Sequence, residues 1–170
     1  MTIAMAAPNA LRIAAALCFA LFLSACASKN QVSEGLGGAG AGAGGVATPG
    51  SQQDFVVNVG DRVFFAEDQS DISPQAQAIL NQQARWLQSY PRYTVTIEGH
   101  ADERGTREYN LALGARRAQA VRDYLASNGI SAQRMRTISY GKERPVAICN
   151  DASCWNQNRR AVTVLNGAGS

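Results

Sequence analysis

The sequence predicts an α+β domain in which two amphipathic helices pack on one face of a mixed four-stranded sheet, in the order β-α-β-α-β-β. Three observations carry this. Tyr93, Val95 and Ile97 alternate with Thr94, Thr96 and Glu98, the period-two signature of a strand with one buried side. Ile79, Leu80, Ala84 and Leu87, and later Leu111, Gly114, Ala118, Val121 and Leu125, recur at helical spacing. Strand-like and helix-like stretches then follow one another along the chain, which places helices against a sheet.

Residues 1–25 read as an export signal. Arg12 supplies the positive start, and Ile13 to Leu23 is an apolar run of about eleven residues. That is well short of the roughly 20 needed to span a bilayer. Leu23-Ser24-Ala25-Cys26 resembles a bacterial lipobox, which implies cleavage before Cys26 and acylation of its thiol and new amino end. Several acyl chains, each CH₂ gaining about 0.8 kcal/mol on burial, make a stable anchor. Residues 26–53 lack periodicity and include the Gly/Ala run from Gly35 to Gly45, so they are expected to form a flexible tether. Its root-mean-square reach is roughly 30 Å. The chain carries a formal charge of +3, and loss of Arg12 with the signal lowers it by one. Near-neutral, mixed charge gives no support for nucleic-acid binding.

The domain is expected over residues 54–166, with 167–170 a flexible tail. Asp61 to Ala66 is β-prone, preceded by a further strand-like run at Phe55 to Val59. Ser73-Pro74 starts a helix with a hydroxyl cap and a first-turn proline; Trp86 joins its apolar face, and Tyr90-Pro91 ends it. After the strand at Tyr93 to Glu98, Thr106 caps the second helix, which stops near Asn128-Gly129. Met135 to Tyr140 and Arg160 to Leu165 complete the strands.

The stretch Glu98 to Ala118 holds the candidate site. It reads as a strand end, a charged turn punctuated by Gly99 and Gly105, and half a helix. Asp102 in the turn and Arg117 on the helix could face one small volume. Helical geometry puts Arg117 at the edge of the apolar stripe, where it needs a partner, while Arg116 points nearly the opposite way into water. The two either form an internal ion pair or share a ligand, and removing either is expected to leave the fold intact. His100 reads as a turn residue near the sheet edge.

The motifs Gly99-His-Ala-Asp102-x-x-Gly105, Asn110-x-x-Leu113-Gly-x-x-Arg117-Ala118 and Asn158-Arg159-Arg160-Ala161-Val162 occur in order. Together they resemble the peptidoglycan-binding domain of the OmpA family, over about residues 54–166. Asp102-Glu-Arg-Gly-Thr106, Ser139-Tyr-Gly-Lys-Glu143 and the lipoprotein start are most similar to its peptidoglycan-associated lipoprotein branch. The resemblance implies that Asp102 and Arg117 hold the ammonium and carboxylate of meso-diaminopimelate in the wall's stem peptide. Asn110, Leu113, Asp71 and Phe65 would border that site. Phe64-Phe65-Ala66-Glu67-Asp68 departs from the family's usual loop pattern, and Phe65 reads first as core. One of Arg159 and Arg160 would orient Asp102. Peptidoglycan, the outer membrane through the lipid on Cys26, and TolB with other Tol proteins are the implied partners. By analogy with the family, Ala27 in place of an Asp after the cysteine implies the outer membrane, with the domain facing the periplasm. No cofactor is implied.

Cys149 and Cys154, five apart in an exported domain, are expected to form a disulfide. Enzymatic chemistry lacks its parts: there is one histidine, His100, no Gly-x-Ser-x-Gly, and no metal-ligand constellation. The alternatives are a docking module for another envelope assembly, or a wall-remodelling enzyme.

Overall fold

The computed structural model describes residues 47–167. The export signal, Cys26 and the Gly/Ala run lie outside the described residues, as does the end of the tail.

The described chain runs α1 (Gln52–Asp54), β1 (Arg62–Phe64), α2 (Pro74–Ser89), β2 (Thr94–His100), α3 (Arg107–Ser127), β3 (Met135–Gly141), α4 (Ala152–Asn158) and β4 (Arg160–Asn166). The sheet order is β1-β4-β2-β3. β4 pairs antiparallel with both β1 (Val63 opposite Ala161) and β2 (Ile97 opposite Thr163). β2 and β3 are parallel, Val95 opposite Met135, and α3 makes the long crossover that a parallel pair requires. Val63, Val95, Ile97, Ala161 and Leu165 form one apolar face, buried with Leu80 and Leu87 of α2 and Ala118, Val121 and Leu125 of α3.

Each long helix starts and stops on local chemistry. The Ser73 hydroxyl accepts from the Ala76 amide at 3.2 Å with Pro74 in the first turn, and α2 ends at Tyr90. The Thr106 hydroxyl accepts from the Tyr109 amide at 3.2 Å, and Gly129 at φ 88° ends α3.

Three expectations are corrected. First, the fold reaches back before Asp54. The Gly50 carbonyl accepts from the Tyr93 hydroxyl at 2.8 Å, and Asp54 accepts from the Trp86 indole at 2.8 Å. Ala47 and Gly50 are buried, while Thr48, Pro49, Gln52 and Gln53 are exposed, so the packed chain begins before Asp54 through these few anchors. Second, Phe55–Val59 is a π-helical turn closed by the Gly60 amide on the Phe55 carbonyl. A strand would bury every second residue, whereas Phe55 is buried and Val57 is exposed. Third, a short helix, α4, stands between β3 and β4. Asp151 caps it through the Ser153 amide, and Cys149 is joined to Cys154 across its start, Cα to Cα 5.6 Å.

Candidate functional site

β2 delivers the chain into the turn 101–106, and α3 takes it away. The two elements touch backbone to backbone: a Cβ at Gly99 would overlap the Gly114 carbonyl, and one at Gly114 would overlap the Ser139 hydroxyl. The turn between them is pinned from both sides. Asn110 Nδ2 donates to the Arg104 carbonyl at 2.7 Å, and Lys142 Nζ donates to the Gly105 carbonyl at 2.7 Å and the Glu103 carbonyl at 3.1 Å.

Asp102 sits in this turn, 7% exposed. Its Oδ1 accepts from the Arg104 amide and Nε, both at 3.1 Å. Its Oδ2 accepts from Arg104 Nη2 at 2.8 Å and Arg159 Nη1 at 3.2 Å. Burial pushes its pKa up, but the hydrogen bonds from Arg104 and Arg159 outweigh this and hold it below the usual carboxylate range. Asp102 is therefore ionised at neutral pH.

Arg104 has two further contacts. Nη1 meets Glu67 Oε1 at 2.8 Å, and the guanidinium lies 4.1 Å from the centre of the Trp155 ring. Trp155 is itself fixed, its indole N–H donating to Glu103 Oε1 at 2.7 Å. Arg159 also reaches the Phe65 carbonyl and the Asn156 side chain. Arg160 points elsewhere, to the carbonyls of Asn158 and Arg144. Of the two neighbouring arginines, it is Arg159 that orients Asp102.

Arg117 does not pair with Asp102. It is completely buried, and Nε, Nη1 and Nη2 donate to the carbonyls of Gln69 (2.8 Å), His100 (2.8 Å) and Ala66 (3.1 Å). Its guanidinium also lies 5.2 Å from the centre of the Phe65 ring. Burial and the nearby Arg159 push its pKa down to about 10, so it stays charged at neutral pH. The helical wheel places it at the rim of the apolar stripe; the loop 65–69 folds over it and closes the rim.

In front of these charges lies a cavity of about 160 Å³ lined by Glu67, Asp68, Asp102, Arg104, Gly105 and Tyr109. Asp68 holds a positive φ of 54°, a conformation that Asp tolerates better than most residues. Three carboxylates and a tyrosine line it together with Arg104, whose guanidinium already pairs with Asp102 and Glu67. Among the described residues, no His, Cys, Asp and Glu cluster stands close enough to hold a metal ion.

The other expected site residues are dispersed. Asn110 braces the turn and Leu113 is buried on α3. Phe65 is buried core that also lines a separate shallow cavity with Phe64 and Arg159. Asp71 is exposed and absent from the Asp102 cavity, where Glu67 and Asp68 stand instead. Sequence reasoning missed Glu67, Asp68 and Tyr109 of the cavity lining, and Arg104 and Trp155 beside Asp102. For Arg104 a signal existed, since an Asp two residues before an Arg readily accepts that residue's amide in an Asx turn. For Trp155 none did, because it reaches Glu103 across 52 positions.

The chain's relatives agree with this architecture. The OmpA family matches residues 64–160. The sequence is 67% identical over 155 residues to the peptidoglycan-associated lipoprotein of Rhizobium meliloti, covering 91% of this chain and 88% of that one. It is 65% identical over 157 residues to that of Brucella melitensis, covering 92% and 93%. The crystal structure of the peptidoglycan-associated lipoprotein from Burkholderia pseudomallei superimposes with a TM-score of 0.64 at 42% identity, covering 67% of this chain and 98% of that one.

Proposed function

Because the chain belongs to the peptidoglycan-associated lipoproteins of the OmpA family, we propose that it binds the stem peptide of peptidoglycan without covalent chemistry and tethers the outer membrane to the wall. The observation that carries this reading is an ionised Asp102 on the wall of an acid-lined cavity, with the fully buried Arg117 among its charged neighbours. A zwitterionic group such as the end of meso-diaminopimelate needs that pairing of charges: a carboxylate for its ammonium and a guanidinium for its carboxylate.

Arg104 holds the cation position beside Asp102. An incoming ammonium therefore replaces one cation by another, and the exchange costs less than stripping a bare carboxylate of its partner. Arg104 has a half-exposed side chain, 34% accessible, so it can swing aside without disturbing the core. Arg117 commits three of its N–H bonds to carbonyls, which leaves one on each of Nη1 and Nη2. Arg117 lies beneath the cavity wall rather than on it, so the released Arg104 is the guanidinium that meets the ligand's carboxylate, with Arg117 acting as a buried positive charge behind it.

Single-site affinity need not be high. Cys26 carries the lipid in this reading, the tether that follows it lets the domain search beneath the membrane, and a polymeric wall offers many sites at once. We extend the proposal to TolB and the other Tol proteins as partners at an overlapping surface, in support of envelope integrity and cell division.

The test is co-sedimentation of the protein with isolated peptidoglycan. Binding should be competed away by free meso-diaminopimelate and lost in Asp102→Asn, with TolB competing in a parallel arm. Sedimentation that free meso-diaminopimelate leaves untouched would sink the site assignment.

A further inference from the structure

We propose that the cleft on the other side of the 103–105 turn is a second subsite, which takes the stem-peptide residues next to diaminopimelate: an alanyl methyl group on its apolar wall and a peptide carboxylate at Lys142. The inference rests on the wall-binding reading above and deepens it.

The cleft holds about 370 Å³, within the range of small-ligand pockets, and its lining includes Ala101, Glu103, Lys142, Pro145, Ile148 and Asn150. Ile148 is 90% exposed, and Val146 on the same loop is largely exposed too. Aliphatic side chains turned to water on a loose loop would mean little. This loop is held. The buried Asn158 accepts from the Val146 amide at 2.9 Å and the Ala147 amide at 3.2 Å, and donates to the Ala147 carbonyl at 2.8 Å. One residue beyond Ile148, the Cys149–Cys154 disulfide fixes the loop's far end. A rigid loop therefore presents an apolar wall without a partner of its own.

Charge selects the occupant. Glu103 keeps its negative charge, with one carboxylate oxygen taken by the neutral Trp155 indole, so the anion site of the cleft is confined to Lys142. Lys142 spends two of its three N–H bonds on the Glu103 and Gly105 carbonyls, so one N–H is left for an anion. Small methyl groups interspersed with carboxylates are the chemistry of an alanine- and glutamate-containing peptide.

Continuity supports the same occupant. Asp102 and Arg104 line the acid cavity while Glu103, between them, lines the cleft, and successive Cα atoms are only about 3.8 Å apart. Lys142 lines the cleft and bonds to Gly105, which lines the acid cavity. The two sites share a single turn as their dividing wall. A peptide anchored by its diaminopimelate ammonium at Asp102 reaches the cleft within about one residue, whereas the free amino acid has no group that extends there.

Calorimetric titration of the full-length protein in detergent tests this with free meso-diaminopimelate, the tripeptide L-alanyl-γ-D-glutamyl-meso-diaminopimelate and the tetrapeptide with a terminal D-alanine. The longer peptide should bind about tenfold more tightly than the free amino acid, the size expected for burying a methyl group and adding one charged contact. Ile148→Ser, at an exposed position that leaves the core intact, should remove most of that gain and leave the affinity for the free amino acid unchanged. Lys142→Gln should lower peptide binding and weaken its salt dependence. Equal affinity for all three ligands, or an Ile148→Ser loss that is the same for all three, would overturn the cleft while leaving the Asp102 site standing. Binding of none of them would overturn the wall reading, and the cleft with it.

Discussion

Arg117→Ala should unfold the domain more readily, contrary to what a residue at the rim of a helix would do. Three carbonyls, the buried one of His100 and the part-buried ones of Ala66 and Gln69, lose charged donors at 2.8–3.1 Å. Bonds from a charged group are worth about 1.5–3 kcal/mol each, and deleting one side of a buried polar set leaves its partners desolvated. Against this stands the recovered hydration of a guanidinium whose burial pushes its pKa down to about 10. The net loss should be about 3 kcal/mol, a large share of the 5–15 kcal/mol typical of a domain. In thermal melts it should appear as a fall in Tm of about 10 °C. Arg117→Met, which fills the volume without donors, should match the alanine variant. Arg117→Lys, which keeps the charge and can satisfy some of the carbonyls, should recover about half. Urea denaturation followed by circular dichroism measures all three. Alanine and methionine variants within about 0.5 kcal/mol of the parent would refute the reasoning, since that is the range of ordinary surface changes. The practical consequence is that loss of wall binding in Arg117→Ala identifies a ligand contact only in protein shown to be folded at the assay temperature.

Further predictions concern the supports of the site. His100 is buried with neither ring nitrogen hydrogen-bonded, and burial, with Arg160 and Arg144 nearby, lowers its pKa from 6.5 to about 4. It folds neutral, so the unfolded chain takes up its proton first: this part of the stability should be whole above pH 6.5 and drain away as pH falls toward 4. The loss is up to about 3 kcal/mol. Glu98, 3.6 Å from Nε2, softens it once the ring is charged. Urea titrations across that window should flatten in His100→Phe; an unchanged slope would assign the acid sensitivity to another group. Gly99→Ala should cost about 2 kcal/mol or more, because its Cβ meets backbone of α3 rather than a side chain that can move. Denaturation midpoints read this directly, and a neutral substitution would mean that helix and strand can separate freely. Reducing the Cys149–Cys154 bond should cost less than the ~3 kcal/mol of a 15-residue loop, while changing the fluorescence of Trp155 beside it.

What the sequence revealed and what it hid divide along the distance over which each feature is determined. α2, α3, β2 and β4 were legible because caps, stops and periodicity lie within a few residues of one another. The Phe55–Val59 turn misled because its residues are strand formers. What decides it is the placement of Phe55, 4.9 Å from Trp86, which no local pattern contains. α4 is only seven residues long, too short for a periodic stripe. His100 was expected near a sheet edge, but it ends β2, which lies between β3 and β4. At the site, Asp102 and Asn110 could be picked out from their motif. The partners of Arg117 lie 17, 48 and 51 positions away, so its burial belongs to the tertiary structure alone. The grip of Arg159 on Asp102, across 57 positions, is of the same kind.

The central claim is that an amino group takes the place of Arg104 beside Asp102. Nuclear magnetic resonance of the Arg104 Nε–Hε group during titration with meso-diaminopimelate observes that exchange most directly. The account predicts that this resonance moves toward a solvent-exposed position as ligand is added, together with a shift of the Trp155 indole on which the guanidinium lies. Saturable binding with both resonances unmoved would contradict it, and would place the ligand away from Asp102.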